Sequence, residues 1–312
     1  MAEDIKMKLI KAFGELRGNV KVTVVIVNYN AGAILINCIQ RVLASSSNID
    51  IIIVDNASSD ASLTNAATVF QDIENLCIYQ SANNLGFARA NNYVYSLIQS
   101  DYILYLNPDC YIEPSTIQNM LALMETHPGA GMAGCLILNE DGSEQKGCRG
   151  LTPTPWRSMM QILQFYRLFP QAKTFQGYTL NHMPLPKAPI KVELISGAFM
   201  FARRQAISEV GLLDEHYFLY CEDYDWFYRF QQKRWEILFT PNLIITHLKG
   251  ICGKKTPTRI SWYKTKGMLY YYKKFFQKNR FSLITGFIKF TILSRFFIVL
   301  IVNFLKRQPK PN

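Results

Sequence analysis

The sequence predicts an α/β protein built on a mostly parallel sheet with helices on both faces. Three observations carry that prediction. Strand-like and helix-like segments alternate at about 25–30 residues per unit, the repeat of strand–crossover–strand architecture. The strand-like segments are continuous apolar runs, which fits burial on both faces. Polar side chains cluster directly after those runs, and in a parallel sheet such ends share one edge, where ligands bind.

The elements follow in order. Residues 1–20 carry Ile5, Leu9, Ala12, Phe13 and Leu16 at helical spacing and read as a short amphipathic helix, an extension ahead of the main domain. Val22 to Val27 is a β-branched strand ending in Asn28-Tyr29-Asn30. A helix over about 33–45 follows, with Leu35, Ile39, Val42 and Leu43 on one face. Ile49 to Val54 is a second buried strand, ending in Asp55-Asn56-Ala57-Ser58-Ser59-Asp60. Ser59 or Asp60 is placed to cap the helix after it. Leu76 to Tyr79 is a short strand, and Asn83-Asn84-Leu85-Gly86-Phe87 opens a helix over about 87–99.

Tyr102 to Leu106 is the next strand, and it stops abruptly on Asn107-Pro108-Asp109. Proline has no N–H for a ladder and pushes its predecessor into extended geometry. Asp109 therefore either starts a turn or presents a carboxylate to a ligand. Residues 140–190 are rich in Pro and Gly and read as a long excursion with a helix near 156–168. Val192 to Phe201 is apolar but interrupted by Ser196-Gly197, where a ligand or another backbone can approach closely. Glu222, Asp223 and Asp225 lie together among aromatics. Buried acids have perturbed pKa values, a mark of functional sites, although acids also favour a helix N-terminus. Trp235 to Phe239 and Leu243 to Thr246 are strand-like and lead to His247, which is either structural or a metal ligand.

Composition narrows the function. The net charge is +11, but the fifteen Lys and Arg after Glu236 meet no acid, so residues 1–236 carry 19 basic side chains against all 23 acidic ones. A mildly acidic domain bears a basic tail. The seven cysteines (Cys38, Cys77, Cys110, Cys135, Cys148, Cys221 and Cys252) are scattered, with no Cys-x-x-Cys. That argues against a disulfide framework or a zinc site and for a reducing compartment. The acidic start, Met1-Ala2-Glu3-Asp4, does not read as a secretory signal. The first strand is not followed by Gly-x-Gly-x-x-Gly, which disfavours a Rossmann dinucleotide site.

The tail changes character. Residues 262–276 interleave aromatics with lysines, and Phe281 to Leu305 is largely apolar with Lys289 and Arg295 inside it. Lys278, Ser282, Thr285 and Lys289 form a polar stripe at helical spacing. Such a helix lies on an anionic leaflet more readily than it spans one, and the aliphatic run favours lipid over nucleic acid. Packing against the main domain is the alternative.

Taken together, the motifs resemble family 2 glycosyltransferases, in particular rhamnosyltransferase-like members. Val25-Ile26-Val27-Asn28-Tyr29-Asn30, Asp55 to Asp60, Asn84-Leu85-Gly86-Phe87-Ala88, Leu106-Asn107-Pro108-Asp109, Ser196 to Met200, Gly211 to Glu215, Phe218 to Asp225 and His247 occur in the family's order, over about 22–250. The resemblance implies a GT-A fold over 21–250; the tail's own composition makes 251–312 a basic, helical, membrane-associating region, which suggests a lipid-linked acceptor. The resemblance implies metal-assisted, inverting transfer of a sugar, rhamnose favoured, from a nucleotide-diphosphate donor to a hydroxyl of a lipid-linked or cell-surface saccharide. It also implies roles. Asp55 contacts the donor base, with Asn28, Asn30, Asn84, Gly86 and Asn107 lining the donor site. Asp109 and His247 bind Mg²⁺ or Mn²⁺. Asp223 is the general base, with Glu222 beside it. Asn107 stands where the family's Asp-x-Asp has its first acid. The expected location is the cytoplasm, on the inner face of the cell membrane. A catalytically inactive sugar-nucleotide-binding scaffold and a sugar nucleotidyltransferase are the competing readings. The latter would want a cation soon after the first strand, and Asn28-Tyr29-Asn30-Ala31-Gly32 offers none.

Overall fold

The computed structural model describes residues 7–14, 20–45, 48–169, 171–248, 257–277 and 282–307. Its centre is a ten-stranded mixed sheet with the strand order β1-β4-β3-β2-β5-β11-β7-β12-β6, and β9 also on β12. In chain order the first half runs β1 (Met7–Lys11), β2 (Val22–Asn28), α1 (Ile34–Ser45), β3 (Ile49–Asp55), α2 (Ser62–Val69), β4 (Leu76–Ser81), α3 (Phe87–Tyr95) and β5 (Tyr102–Leu106). Then come β6 (Cys110–Tyr111), α4 (Thr116–Thr126), β7 (Ala130–Leu138), β8 (Arg149–Gly150), α5 (Pro155–Leu163) and α6 (Phe165–Leu168). The last part is β9 (Ile190–Val192), β10 (Leu194–Ile195), β11 (Phe199–Arg203), α7 (Arg204–Val210), α8 (Glu222–Gln232), β12 (Glu236–His247), α9 (Pro257–Phe276) and α10 (Ser282–Arg307).

Strands β4, β3, β2, β5, β7 and β12 share one direction, and β1, β11, β6 and β9 run against them. The apolar runs are buried as their composition requires: Val24, Val25 and Ile26 of β2 and Ile51, Ile53 and Val54 of β3 are inaccessible to solvent. Burying each such side chain is worth about 1.5–3 kcal/mol. The parallel half delivers Asn28, Asp55 and Leu106 to one edge in register, with Asn28 opposite Asp55.

Residues 7–11 do not form the expected helix. They add an antiparallel edge strand to β4, with Met7 opposite Ser81 and Leu9 opposite Tyr79. The reason is the open hydrogen-bonding edge of β4, whose N–H and C=O groups need partners. Met7 and Ile10 pack on the core, Leu9 stays exposed, and the Lys11 ammonium donates to the carbonyls of Ile73 and Leu76. Ile5 and Leu16 of the helical pattern lie outside the described residues, as do Lys249, Gly250 and Cys252. The other six cysteines are free and buried.

The apolar run at 192–201 breaks at Ser196-Gly197 into β10 and β11, which belong to different sheets. The two runs before His247 join into one twelve-residue strand, β12, with its register shifted between Thr240 and Ile244 around Pro241. The excursion is held by two bidentate ion pairs: a largely buried one of Arg149 with both oxygens of Glu144, and a partly exposed one of Arg157 with both of Glu193.

The tail divides in two. Helix α9 packs on the domain, with Tyr271 and Tyr272 fully buried and the Tyr272 hydroxyl bonded to Ser158 of α5. Helix α10 packs on α9 and α5 through Ile288, with Thr285 also turned inward. Of the polar stripe, Thr285 therefore faces into the protein, while Lys278 lies outside the described residues. Leu283, Phe290, Phe297, Ile298 and Ile301 face out, each more than half exposed. Residues Leu283–Asn303 are long and apolar enough to cross a membrane, and only 11% of them is buried.

Candidate active site

The polar strand ends converge as expected, through a network of amides. Asn28 Nδ2 donates to Asp55 Oδ1 at 2.7 Å and lies 2.8 Å from Ser62 Oγ. Asp55 Oδ2 accepts the Ser58 N–H at 3.0 Å. Both Asn28 and Asp55 are wholly buried, and Asn28 Oδ1 has no partner among the described residues. Together they form the floor of the edge. Asn30, with a left-handed backbone (φ 54°), accepts the N–H groups of Ser59 and Asp60 and so ties the loop after β2 to the loop after β3. Asp60 accepts the Ser62 N–H and hydroxyl, the local bond that starts α2.

Asn56, which the sequence reading passed over, is the hub of the next loop. Its Oδ1 accepts Leu85 N–H at 2.7 Å and its Nδ2 donates to Gly86 O at 3.0 Å. Asn84 accepts the Gly86 N–H. Gly86 has φ 81°, and a Cβ there would lie 2.2 Å from Phe218 O, so only glycine fits. The same Phe218 carbonyl accepts the first N–H of α3, from Phe87, at 2.9 Å. The segment before the acids is thus docked on the loop after β4.

Asn107-Pro108-Asp109 turns as its sequence suggests. The Asn107 N–H donates to Ala198 O at 3.0 Å and its carbonyl accepts from Cys110 N–H, leaving the amide side chain half-buried at the edge. The two-residue strand β6 then pairs with the end of β12, Cys110 opposite His247. That pairing sets Asp109 beside His247, with Oδ1 3.0 Å from Nε2. Gln145 completes the arrangement: its Oε1 is 2.7 Å from His247 Nδ1, while its Nε2 faces Asn139 Oδ1 and His247 O. Two acceptors fix which way that amide points, so Nδ1 carries the proton. The Nε2 lone pair of a neutral ring then faces a carboxylate oxygen. Only a proton or a metal ion between them removes that repulsion, and a carboxylate with an oriented imidazole is a fitting donor set for Mn²⁺ or Mg²⁺. Cys110 lies within reach, but its thiol donates to Ala198 O at 3.4 Å. Burial and the neighbouring Asp109 charge push it far above the usual thiol range, so it stays protonated.

The acids at 222–225 have separate duties. Tyr220 (φ 70°) and Cys221 (φ 73°) are consecutive left-handed residues ahead of α8, at a cost of about 1–3 kcal/mol each. Asn30 and Ala57 (φ 60°) are strained on the same edge, so backbone strain clusters at the site. Asp223 follows in the first turn of α8, half-buried, with Oδ1 accepting Tyr224 N–H at 2.8 Å. A Cβ on Gly197 would lie 2.9 Å from Asp223 Oδ2. The break at Ser196-Gly197 thus makes room for this carboxylate. Burial raises the Asp223 pKa against the opposing pull of backbone N–H groups. Glu222 is buried, with Oε2 unpartnered, and burial together with the Asp223 charge raises its pKa. Two neighbouring carboxyls in one poorly solvated turn hold one proton between them more easily than two charges. Asp225 is structural, bonded to Arg229, Tyr217 and Lys274.

The turn that carries Asp109 and the acid Asp223 are joined through one short stretch, Gly197-Ala198. Asn107 and Cys110 both bond Ala198 O, next in the chain to the Gly197 that faces Asp223.

Comparison with known proteins bears on the family and the fold. Residues 23–210 match the family described as Glycosyl transferase family 2. An N-acetylglucosaminyl-diphospho-decaprenol L-rhamnosyltransferase of Mycobacterium tuberculosis is 27% identical over 246 residues, 75% of this chain and 78% of its own. Rhamnosyltransferase WbbL of Escherichia coli is 26% identical over 47% of this chain and 54% of its own. Two solved structures share the fold at a TM-score of 0.56. A Pyrobaculum calidifontis mannosyltransferase with GDP-Man and Mn²⁺ is 12% identical over 97% of this chain and 80% of its own. GalNAc-T7 with UDP, GalNAc and Mn²⁺ is 16% identical over 88% of this chain and 55% of its own.

The hydrogen bond to His247 makes a prediction. Gln145→Leu should weaken Mn²⁺ binding, followed by calorimetry, by about 10–100-fold. Unchanged affinity would show that Nδ1 needs no orienting partner.

Proposed function

The chain belongs to glycosyltransferase family 2, and from that premise we propose that it transfers a sugar, rhamnose by preference, from a nucleotide-diphosphate donor to a hydroxyl of a polyprenyl-linked saccharide, with inversion at the anomeric carbon. The observation that carries this reading is the pairing at one edge of an oriented Asp109–His247 donor set with the raised-pKa carboxylate of Asp223. The rhamnosyltransferase names of the relatives support the sugar, and the decaprenol acceptor in one name supports the acceptor class.

The chemistry follows from the residues. Asp223, unprotonated, accepts the proton of the acceptor hydroxyl as its oxygen bonds to the anomeric carbon. The bond from that carbon to the diphosphate oxygen breaks on the opposite face, and the nucleoside diphosphate leaves with the electron pair. A divalent ion held by Asp109 and His247 would neutralise the charge that gathers on the leaving diphosphate. Glu222 holds the local proton and so keeps a second negative charge from accumulating beside the base. Asn28, Asp55, Asn30 and Asn56 fix the two loops against which the nucleotide rests. Asn84 and Gly86 shape its far wall, and Asn107 meets the donor as a neutral amide.

The outward apolar face of α10, with Lys289, Arg295, Lys306 and Arg307 along the helix and no acid, suits the surface of an anionic leaflet. A lipid-linked acceptor is presented there, on the inner face of the cell membrane.

Two outcomes test the reading. Asp223→Asn should lower kcat by about 10²–10⁴-fold with donor binding by calorimetry unchanged. Because the raised pKa keeps Asp223 protonated to higher pH, wild-type kcat should climb with pH through a limb above the usual carboxylate range. Unaltered turnover in the variant would remove Asp223 as base. Separately, a chain ending at residue 281 should remain folded and stop pelleting with phosphatidylglycerol vesicles; continued pelleting would place the membrane contact elsewhere.

A further inference from the structure

Helix α9 carries more contacts to the segment 214–225 than a tail that merely leads to α10 requires. Gly267 lies in the middle of this twenty-residue helix, where glycine is disfavoured unless packing demands it. A Cβ there would be 2.7 Å from Tyr220 O and 3.2 Å from Cys221 Cβ and Sγ. The helix backbone thus presses directly on the two left-handed residues that precede Glu222 and Asp223. One turn earlier, the Tyr263 ring stacks on Phe218 at 4.5 Å, and the Lys264 ammonium sits 4.4 Å over the Tyr220 ring. Further along α9, Lys274 bonds both Asp214 and Asp225, and the Tyr270 hydroxyl donates to Asp214 at 3.2 Å. Both ends of the segment and its strained centre are held by one helix.

We propose that α9 is the positioning element for Asp223, with Gly267 and Tyr263 fixing the Phe218–Cys221 segment that aims the carboxylate at the acceptor. The proposal rests on Asp223 being the proton acceptor. The clamp itself is independent of that reading. Phe218 also carries the carbonyl that caps α3 and faces Gly86, so the same contacts keep the wall of the donor crevice in register with the base. Neither Gly267 nor Tyr263 touches the reacting atoms; they act through the segment they hold.

The test uses the full chain with Gly267→Ala, Tyr263→Leu and Tyr263→Phe. Alanine favours helix, so any loss in Gly267→Ala reports the contact and not the helix. A misplacement of about 1 Å costs roughly 10²-fold, so Gly267→Ala should lower kcat to that extent with donor KM within about twofold of wild type. Its acid-side pH limb should shift as the environment of Asp223 changes. Tyr263→Leu should fall in the same direction, and Tyr263→Phe, which keeps the ring, should restore wild-type turnover. In hydrogen–deuterium exchange, protection over 215–223 should drop in Gly267→Ala and Tyr263→Leu and persist in Tyr263→Phe, with the central strands unaffected. Unchanged exchange and kcat in the first two variants would overturn the proposal. So would a rise in exchange spread across the sheet with loss of donor binding, which marks α9 as general support. A wild-type chain that transfers no sugar would instead sink the proposed function, and the exchange data would still decide the clamp.

Discussion

The close contact between Gly197 and Asp223 is the constraint on which the rest of the site depends. A strand that continued unbroken from Leu194 to Phe201 would fill the space where the Asp223 carboxylate lies, since even one methyl at residue 197 would lie 2.9 Å from its Oδ2. The break sends β10 to pair with β8 and β11 to pair with β5. Because Phe199 stands opposite Leu106, the chain just before β11 meets the chain just after β5. Ala198 O then holds both Asn107 and Cys110. One carbonyl and one missing side chain thus tie the turn that carries Asp109 to the chain that faces Asp223.

Charge at this place is balanced by neighbouring groups. Asn28 and the Ser58 N–H occupy both oxygens of Asp55. Gln145 orients His247, and Arg229 with Lys274 neutralises Asp225, which has no solvent to do so. Burial raises the pKa of both Glu222 and Asp223, and for Glu222 the neighbouring Asp223 charge adds to it. A carboxyl kept near the boundary between charged and neutral is what proton transfer at neutral pH needs. The consecutive left-handed residues Tyr220 and Cys221 survive because neighbouring contacts determine their conformation from several sides.

Much of this was legible in the chain. The β-branched runs of β2 and β3 and the amides and acids after them marked the sheet and its functional edge, because buried parallel strands leave that pattern. Strand β7, Ala130–Leu138, left little trace: Gly131 and Gly134 are there because Phe230 and Ile195 occupy the space their side chains would need. Residues 7–11 carried helical spacing, yet an unfilled sheet edge decided their fate. Asp109 and His247 could be singled out separately, but their meeting depends on the two-residue strand β6, too short to read as a period. Gln145 and Asn56 gave no signal at all, being single amides whose partners come from distant segments. The aromatic and lysine-rich stretch at 262–276 looked like one tail with the apolar run after it. In the fold it packs on the domain: Lys274 bonds Asp214 and the buried Asp225, and Tyr271, Tyr272 and Phe276 join Tyr217 and Cys221 in a second, smaller apolar cluster.

A single displacement between a base on one face and a leaving diphosphate on the other is the central claim, and the stereochemistry of the product tests it most directly. The anomeric configuration of the new glycosidic bond can be read by NMR from the one-bond C–H coupling, after reaction of a nucleotide-diphosphate rhamnose of known configuration with a polyprenyl-diphosphate N-acetylglucosamine. The account predicts an inverted centre in the product. A retained centre would require two displacements or attack from the leaving-group face, and would contradict the role given to Asp223.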